Sequence, residues 1–429
     1  MNKRLRIAVY YNVGWGGGRR WLYECVSRLR QYHDIDLFCI DKDADIPHYP
    51  DVSEFAEHSQ SMPFSDLPRF RGALKALNAP LIWIDLLRFD RASKHVAQRI
   101  DAGGYDLLFA SVGAYTEAPL VLRHAKTPSV YYCHEPMRNL YEPQIPRAYL
   151  QKSLAGRLRG FWDGLFYGGI VRAWDRDGTH KASMVLTNSR YCRDHTYRSY
   201  GVRSQVNEPG VNTDDFRPGD LPRERFVLTV GQLMPFKGFD WAVRAIGAIP
   251  PDKRPRLVLV CNWSSAPEQR YVEGVARECG VQLEIRERVP DVELKRLYQT
   301  ASVLLYTPHL ELFGLAAIEA MASGTPVVAV REAGPAETVV DGETGFLRDR
   351  DAQQLGDAVL RLLDDEELRE RMSRAAREHV VRNWTWDRSV AQLQALLTDA
   401  AESLHTSKDD SRASDPLEMT DIAVARRRT

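Results

Sequence analysis

Short, mainly apolar runs, each closed by turn residues and followed by a helix-length stretch, recur along the whole chain. In the first half they are Leu5–Tyr11, Asp36–Ile40, Tyr105–Ala110, Val130–Cys133 and Met184–Thr187. In the second half they are Phe226–Val230, Leu257–Cys261, Leu283–Ile285, Val303–Tyr306 and Val327–Val330. Nearly continuous apolar strands alternating with helices predict a parallel sheet covered on both faces. A chain of 429 residues exceeds what one core usually organises, so two doubly wound α/β domains are expected. Arg217–Glu224, with two prolines and a glycine, reads as the linker. The expected units are residues 1–215, residues 216–381, a last helix over 382–400 and a polar, disordered tail over 401–429. Pro47–Pro80 is poorly periodic and is expected to be loop with short helices.

Open α/β sheets bind ligands outside the carboxyl ends of their strands, which directs attention to the residues just after each run. After Leu5–Tyr11 comes Gly14-Trp15-Gly16-Gly17-Gly18, then a helix with Trp21, Leu22, Cys25, Val26 and Leu29 on one face. Arg19 stands where a dinucleotide fingerprint has its last glycine, so Gly16 and Gly17 read as a backbone cradle or as a plain tight turn. After Val130–Cys133 the chain reads His134-Glu135-Pro136-Met137-Arg138, which places His134 at the mouth of the sheet. After Phe226–Val230 it reads Gly231-Gln232-Leu233-Met234-Pro235-Phe236-Lys237-Gly238, where Lys237 can bring an ammonium to a phosphate.

The most specific stretch is Glu311-Leu312-Phe313-Gly314-Leu315-Ala316-Ala317-Ile318-Glu319. Phe313–Ser323 has helical spacing, with Gly324 placed to end it. Glu311 then lies in the loop before a helix and Glu319 inside it, on the order of 10 Å further along the axis. Free N–H groups at the helix start favour an anion between the two carboxylates. A nucleoside diphosphate sugar has that layout, with hydroxyls at both ends and diphosphate in the middle.

With Gly334-Pro335-Ala336-Glu337 and Asp341-Gly342-Glu343-Thr344-Gly345-Phe346 beyond it, this stretch resembles the E-x7-E signature of the retaining glycosyltransferase family four. The resemblance is specific from Val230 to Phe346 and looser in the first half, where the His134 loop is similar to that of bacterial mannosyltransferase-like members. It implies the GT-B fold, two Rossmann-like domains facing across a cleft, with a last helix returning to the first domain. It implies donor contacts from Gly16, Gly17, Gly231, Gln232, Lys237, Glu311, Phe313, Gly314, Leu315 and Glu319. Glu311 would hold the sugar hydroxyls, Glu319 the ribose, and His134 would lie near sugar and acceptor. The catalytic set implied is His134, Lys237 and Glu311. Gln232 departs from the family, which ordinarily carries Arg there on the pyrophosphate. The implied reaction moves a mannose- or glucose-type hexose from a GDP- or UDP-linked donor to a glycan or lipid-linked hydroxyl, with retention and without metal or cofactor.

Lys plus Arg and Asp plus Glu are both 58, so no bulk nucleic-acid binding is expected. Six scattered cysteines and an N-terminus without a signal-peptide core suggest a reduced, cytoplasmic chain. Tyr149–Trp174 reads as a helix with Gly156, Gly160, Gly164 and Gly168 on one line. Close packing is one reading of it. Peripheral membrane contact is the other, since Lys152, Arg157, Arg159 and Arg172 accompany Phe161, Trp162 and Phe166. The D-x-D triplets at Asp34–Asp36, Asp43–Asp45, Asp175–Asp177 and Asp349–Asp351 read as chance. A nucleotide-sugar epimerase or hydrolase of the same fold, or a non-catalytic nucleotide-sugar-binding partner in polysaccharide assembly, stays open beside the transferase.

Overall fold

The computed structural model describes residues 4–12, 17–41, 52–70, 78–150, 164 and 168–410. Arg6–Tyr11 (β1), Asp34–Asp41 (β2), His58–Pro63 (β3), Leu107–Ala110 (β4), Ser129–Cys133 (β5), Met184–Thr187 (β6) and Gln205–Val206 (β7) form one parallel sheet. Its order is β3-β2-β1-β4-β5-β6-β7. Glu224–Val230 (β8), Arg256–Cys261 (β9), Leu283–Glu287 (β10), Ala301–Tyr306 (β11), Val327–Val330 (β12) and Gly345–Arg348 (β13) form a second, in the order β10-β9-β8-β11-β12-β13. The order reverses between β1 and β4 and again between β8 and β11. The crevices that this reversal opens at the strands' carboxyl ends are where such sheets take ligands.

Period-two alternation assigns the side chains of each sheet to two cores. In the second sheet Val227, Leu257, Leu259, Val303, Leu305 and Val328 face one helical layer, while Leu228, Val258, Val260, Leu304 and Val327 face the other. In the first, Ile7, Val9, Leu37, Phe109 and Tyr132 oppose Ala8, Tyr10, Phe38, Leu108 and Tyr131. Both faces are dry, which is why these strands read as unbroken apolar runs.

Several elements differ from the sequence reading. The stretch expected to be loop, Pro47–Pro80, contains strand β3 and the start of the helix Asn78–Ala102. Strand β3 is a polar edge strand, His58-Ser59-Gln60-Ser61-Met62-Pro63, and its pairing with β2 supplies what its composition does not. The last helix runs Trp386–Asp410 rather than over 382–400, because Ala400 and Ala401 prolong its buried stripe. The rest of the expected tail, 411–429, lies outside the described residues, as do Gly156, Gly160 and most of the glycine-spaced stretch. The described helix there is Gly169–Lys181. None of the described helices is long and apolar enough to cross a membrane.

Trp386, Val390, Leu393 and Leu397 of the last helix share one core with Trp21, Leu22 and Val26 of the helix Gly17–Leu29. The end of the chain therefore packs on the first sheet's own helical layer. Leu393 is fully buried there. Leu393→Ala is expected to lower unfolding free energy by about 2–5 kcal/mol, the range for a truncated core leucine. Urea denaturation followed by tryptophan fluorescence checks this, and a loss below about 1 kcal/mol contradicts the packing described.

Candidate functional site

At the carboxyl end of β8 the chain turns through Gly231 and Gln232 into a short 3-10 turn, Pro235–Lys237, which Gly238 closes with φ 63°. A Cβ on Gly238 would stand 2.1 Å from the Thr307 carbonyl oxygen, so only glycine lets this turn meet the end of β11. Thr307 Oγ1 donates to the Gly238 carbonyl at 2.8 Å, and His309 N–H donates to the Phe236 carbonyl at 2.7 Å. The two loops are thus knitted together across the switch point of the second sheet. Their union brings Lys237 Nζ to 2.6 Å from Glu311 Oε2, with both side chains about five-sixths buried (17% and 16% exposed). Burial pushes the Glu311 carboxyl up, but Lys237, Arg138 and the Tyr306 hydroxyl outweigh it and hold the group below its ordinary value. Glu311 is therefore a buried, ionised carboxylate.

The helix that follows is Leu315–Ala322, starting two residues later than its spacing predicts. Gly314 adopts φ 96° and stands before the helix, which leaves Phe313 outside it, packed edge-on against Trp384. Glu319 projects from the helix into a nearly dry place, 7% exposed. Tyr298 donates its hydroxyl to Glu319 Oε2 at 3.0 Å, and Arg20, from the helix Gly17–Leu29 of the first domain, donates to Oε1. Burial raises the Glu319 carboxyl above its usual range, and Arg20 opposes it. Each of the two glutamates has a cation: Lys237 on its own domain for Glu311, Arg20 from across the cleft for Glu319.

The first domain approaches this site at several points. A Cβ on Gly17 would lie 2.9 Å from Leu315 Cδ1, so the starts of the two helices abut. Gly16 lies outside the described residues. Arg138 donates to Glu135 at 2.8 Å and Glu142 at 2.9 Å, and reaches the carbonyls of His309 and Leu310 at 3.3 and 3.2 Å. Its guanidinium sits 5.0 Å from the Phe236 ring centre. Glu337, just beyond β12, accepts the N–H groups of Arg190 and Tyr191 at 3.0 and 2.6 Å, capping the helix Arg190–Tyr200 of the first domain.

His134 follows β5 directly, as its sequence position implies; its ring lies edge-on to Trp21 at 4.7 Å and beside Tyr132 at 4.8 Å, and its carbonyl accepts from Asn188. Burial lowers its pKa to about 3, so the imidazole is neutral. No described hydrogen bond or ion pair joins it to Lys237 or Glu311, and its Nε2 is buried without a hydrogen bond among the described residues. Gln232 uses its carbonyl to accept Met234 N–H at 2.7 Å. Sequence reasoning missed Arg20, Arg138, Tyr298 and Tyr306. Arg138 had a local signal, a cation between Glu135 and Glu142 at i−3 and i+4. The other three had none, being brought in by the tertiary fold.

The D-x-D triplets within the described residues serve the fold. Asp34 pairs with Arg4, Asp175 accepts from Ala118 N–H and Tyr200, Asp177 pairs with Arg123, and Asp351 caps the helix Ala352–Asp364. Among the described residues, Asp36, Glu57 and His58 could together hold a metal, at the β2–β3 edge. A cavity of about 380 Å³ opens beside the site, lined by Arg20, Asn212, Phe216, Lys295, Glu319 and Trp386 among others. A larger one, about 550 Å³, lies at the opposite, amino ends of the second sheet's strands, by Glu224 and Arg256.

Comparison with known proteins places these features. Residues 15–215 match the model described as Glycosyltransferase Family 4, and residues 211–379 the one described as Glycosyl transferases group 1. A D-inositol 3-phosphate glycosyltransferase of Corynebacterium glutamicum is 37% identical over 48% of this chain and 54% of its own length. The corresponding protein of Acidothermus cellulolyticus is 37% identical over 57% of this chain and 58% of its own. The chain thus spans somewhat over half the length of these curated relatives. In fold it is similar to sucrose-phosphate synthase of Thermosynechococcus elongatus, with TM-score 0.70, 20% identity, and 94% and 100% of the two chains covered. It is also similar to Anabaena HepE in complex with UDP-glucose, with TM-score 0.64, 17% identity and the same coverage. Its two halves are thus similar to the Glycosyltransferase Family 4 and Glycosyl transferases group 1 models, joined in the GT-B fold.

Proposed function

We propose that the chain is a retaining glycosyltransferase that moves a hexose of mannose or glucose type from a GDP- or UDP-linked donor to a hydroxyl acceptor. The observation that carries this reading is the pair of buried, cation-matched glutamates, Glu311 and Glu319, flanking the start of the helix Leu315–Ala322. The fold neighbour HepE has been captured with UDP-glucose, which supports a nucleotide-sugar donor. The curated relatives are named for D-inositol 3-phosphate, which makes a phosphorylated polyol the first acceptor to test beside glycans and lipid-linked saccharides.

In this reading Glu319 accepts the ribose hydroxyls, Glu311 accepts hydroxyls of the sugar, and the diphosphate lies between. A carboxylate offers about four lone-pair sites and an ammonium three N–H donors, so the Lys237–Glu311 contact leaves capacity on both partners. Lys237 can keep its carboxylate and still donate to a phosphate oxygen. As the bond from the anomeric carbon to the diphosphate oxygen breaks, the sugar becomes oxocarbenium-like and charge grows on the leaving diphosphate. Lys237 and the N–H groups at the helix start stabilise that charge. The acceptor hydroxyl attacks from the face the diphosphate leaves and gives its proton to a phosphate oxygen, which retains the anomeric configuration. His134, neutral and set in aromatic contacts, shapes the cleft without exchanging a proton. Metal is not required in this scheme.

Glu319→Gln, which keeps the shape but removes the charge, is expected to weaken nucleoside diphosphate affinity by about 1.5–3 kcal/mol, the range for hydrogen bonds to a charged group. Glu311→Gln should depress kcat and leave that affinity nearly unchanged. Titration calorimetry with UDP and GDP checks both, and equal losses of affinity contradict the arrangement.

Lys237→Ala should cost about 10²–10³ in kcat, comparable to removing one oxyanion donor. Wild-type turnover should persist in EDTA. Steady-state rates with the identified donor settle the two points, and an EDTA loss restored by Mg²⁺ or Mn²⁺ contradicts the second.

A histidine whose pKa falls to about 3 on folding is already neutral across the ordinary assay range. His134→Gln should therefore change the height of the kcat/KM profile between about pH 5 and 8 and leave its shape alone. A limb near pH 6.5 that disappears in the variant would assign His134 a proton-transfer role.

A further inference from the structure

The chain between β5 and β6 leaves the first domain and reaches the second, where the Arg147 side chain is only 4% exposed. Its Nε donates to Glu268 Oε2 at 3.1 Å, and its Nη2 to Glu268 Oε1 at 3.0 Å and Asp240 Oδ1 at 2.9 Å. Nη2 also approaches the Pro235 carbonyl at 3.4 Å, and the guanidinium lies 4.5 Å from the Tyr271 ring centre. Tyr149, two residues on, donates its hydroxyl to the same Glu268. Asp240 and Glu268 are themselves dry, with side-chain exposures of 6% and 0%. Two buried carboxylates this close cannot both stay charged without a shared cation. The second domain thus carries a guanidinium-shaped pocket, and the first domain fills it.

Nothing in the proposed transfer uses this pocket, yet it adjoins the donor turn on both sides. Pro235 stands two residues before Lys237 and Asp240 three after, so one guanidinium holds both ends of the segment that carries the ammonium. Pro235 has a fixed φ and Gly238 a left-handed one, which leaves this short segment little freedom between its two anchors. Phe236 in the middle is held as well, by His309 N–H and under Arg138.

We infer that Arg147 is a positioning residue for Lys237, setting the donor turn from the first domain through the Pro235 carbonyl and Asp240. The inference rests on the reading of Lys237 as the cation on the leaving diphosphate. The rival role is a plain interdomain adhesive, which would stabilise the protein without acting on Lys237.

A double-mutant cycle separates the two roles, since residues that act through one another are non-additive. Arg147→Ala is expected to lower kcat/KM for the donor about tenfold in the wild-type background and less than about twofold in the Lys237→Ala background. The same factor in both backgrounds, or none in the first, overturns the inference. Arg147→Lys keeps the charge but gives up the planar fork, and it takes the place of the alanine variant if that one fails to fold. A second measurement uses no nucleotide. Acetylation of Lys237 by an N-hydroxysuccinimide ester, read by mass spectrometry against the exposed Lys253, should become several-fold faster in the Arg147 variant. An unchanged rate overturns the clamp. Should wild type transfer no sugar from any donor, the functional reading falls and the acetylation rate alone decides the role of Arg147.

Discussion

An ionised carboxylate taken out of water costs several kcal/mol unless a cation comes with it. Glu319 is out of water and Glu311 is mostly so, and the fold meets that cost in two different ways. For Glu311 the cation is local: the turn Pro235–Lys237 and the end of β11 are joined by Gly238, and Lys237 follows. For Glu319 the cation is Arg20, on a helix of the other domain. The electrostatics of the second domain's site are therefore incomplete without the first. Separation of the domains takes Arg20 away and leaves Glu319 the neutral hydrogen bond from Tyr298 among the described residues. It also leaves Asp240 and Glu268 without Arg147.

Closure and site chemistry are accordingly one problem in this protein. The contacts that join the domains around the site are mostly charged or to backbone carbonyls: Arg20 to Glu319, Arg138 to His309 and Leu310, Arg147 to Asp240 and Glu268, and Glu337 to the start of the helix Arg190–Tyr200. Such contacts are directional and can exchange with water or ligand, whereas the apolar packing of the last helix on Trp21 and Leu22 cannot without a large loss. The fold thus separates a permanent join at the last helix from exchangeable joins around the cleft, an arrangement suited to hinge motion.

The sheets were largely legible in the sequence because their strands are buried on both faces. Met184–Thr187, apolar but for its last residue, and the wholly apolar Val327–Val330 match strands β6 and β12 residue for residue. Legibility failed where burial does not mark an element. Strand β3 is polar and lies at an edge, and the two-residue β7 is too short to show a period. The glutamates were legible for a related reason: Glu319 stood out among Ile318, Ala320, Met321 and Ala322, and it is buried with them. Its partner was not legible. Arg20 carries no mark separating it from Arg19, and pairing over a gap of 299 residues is a product of the tertiary fold. His134 follows its strand as its position suggested, while the ring contacts with Trp21 and Tyr132 come from the tertiary fold and carry no local signal.

Gln232 gains meaning from the same geometry. Where the resemblance to family four implies an arginine, this chain has a neutral side chain, and Lys237 is the cation of that loop. On the second domain the Lys237 ammonium is already shared with Glu311, and the nearby Arg350 guanidinium is engaged by Glu332 and the carbonyls of Thr307 and Pro308. Arg20 and Arg138 add positive charge only when the first domain is in place, Arg20 one turn into the helix Leu315–Ala322 and Arg138 against the loop that carries Glu311. In the proposed reaction, positive charge near the diphosphate thus depends more on closure than it would with arginine at 232. Full stabilisation of the leaving group then coincides with exclusion of water from the cleft, when each charge interaction is strongest.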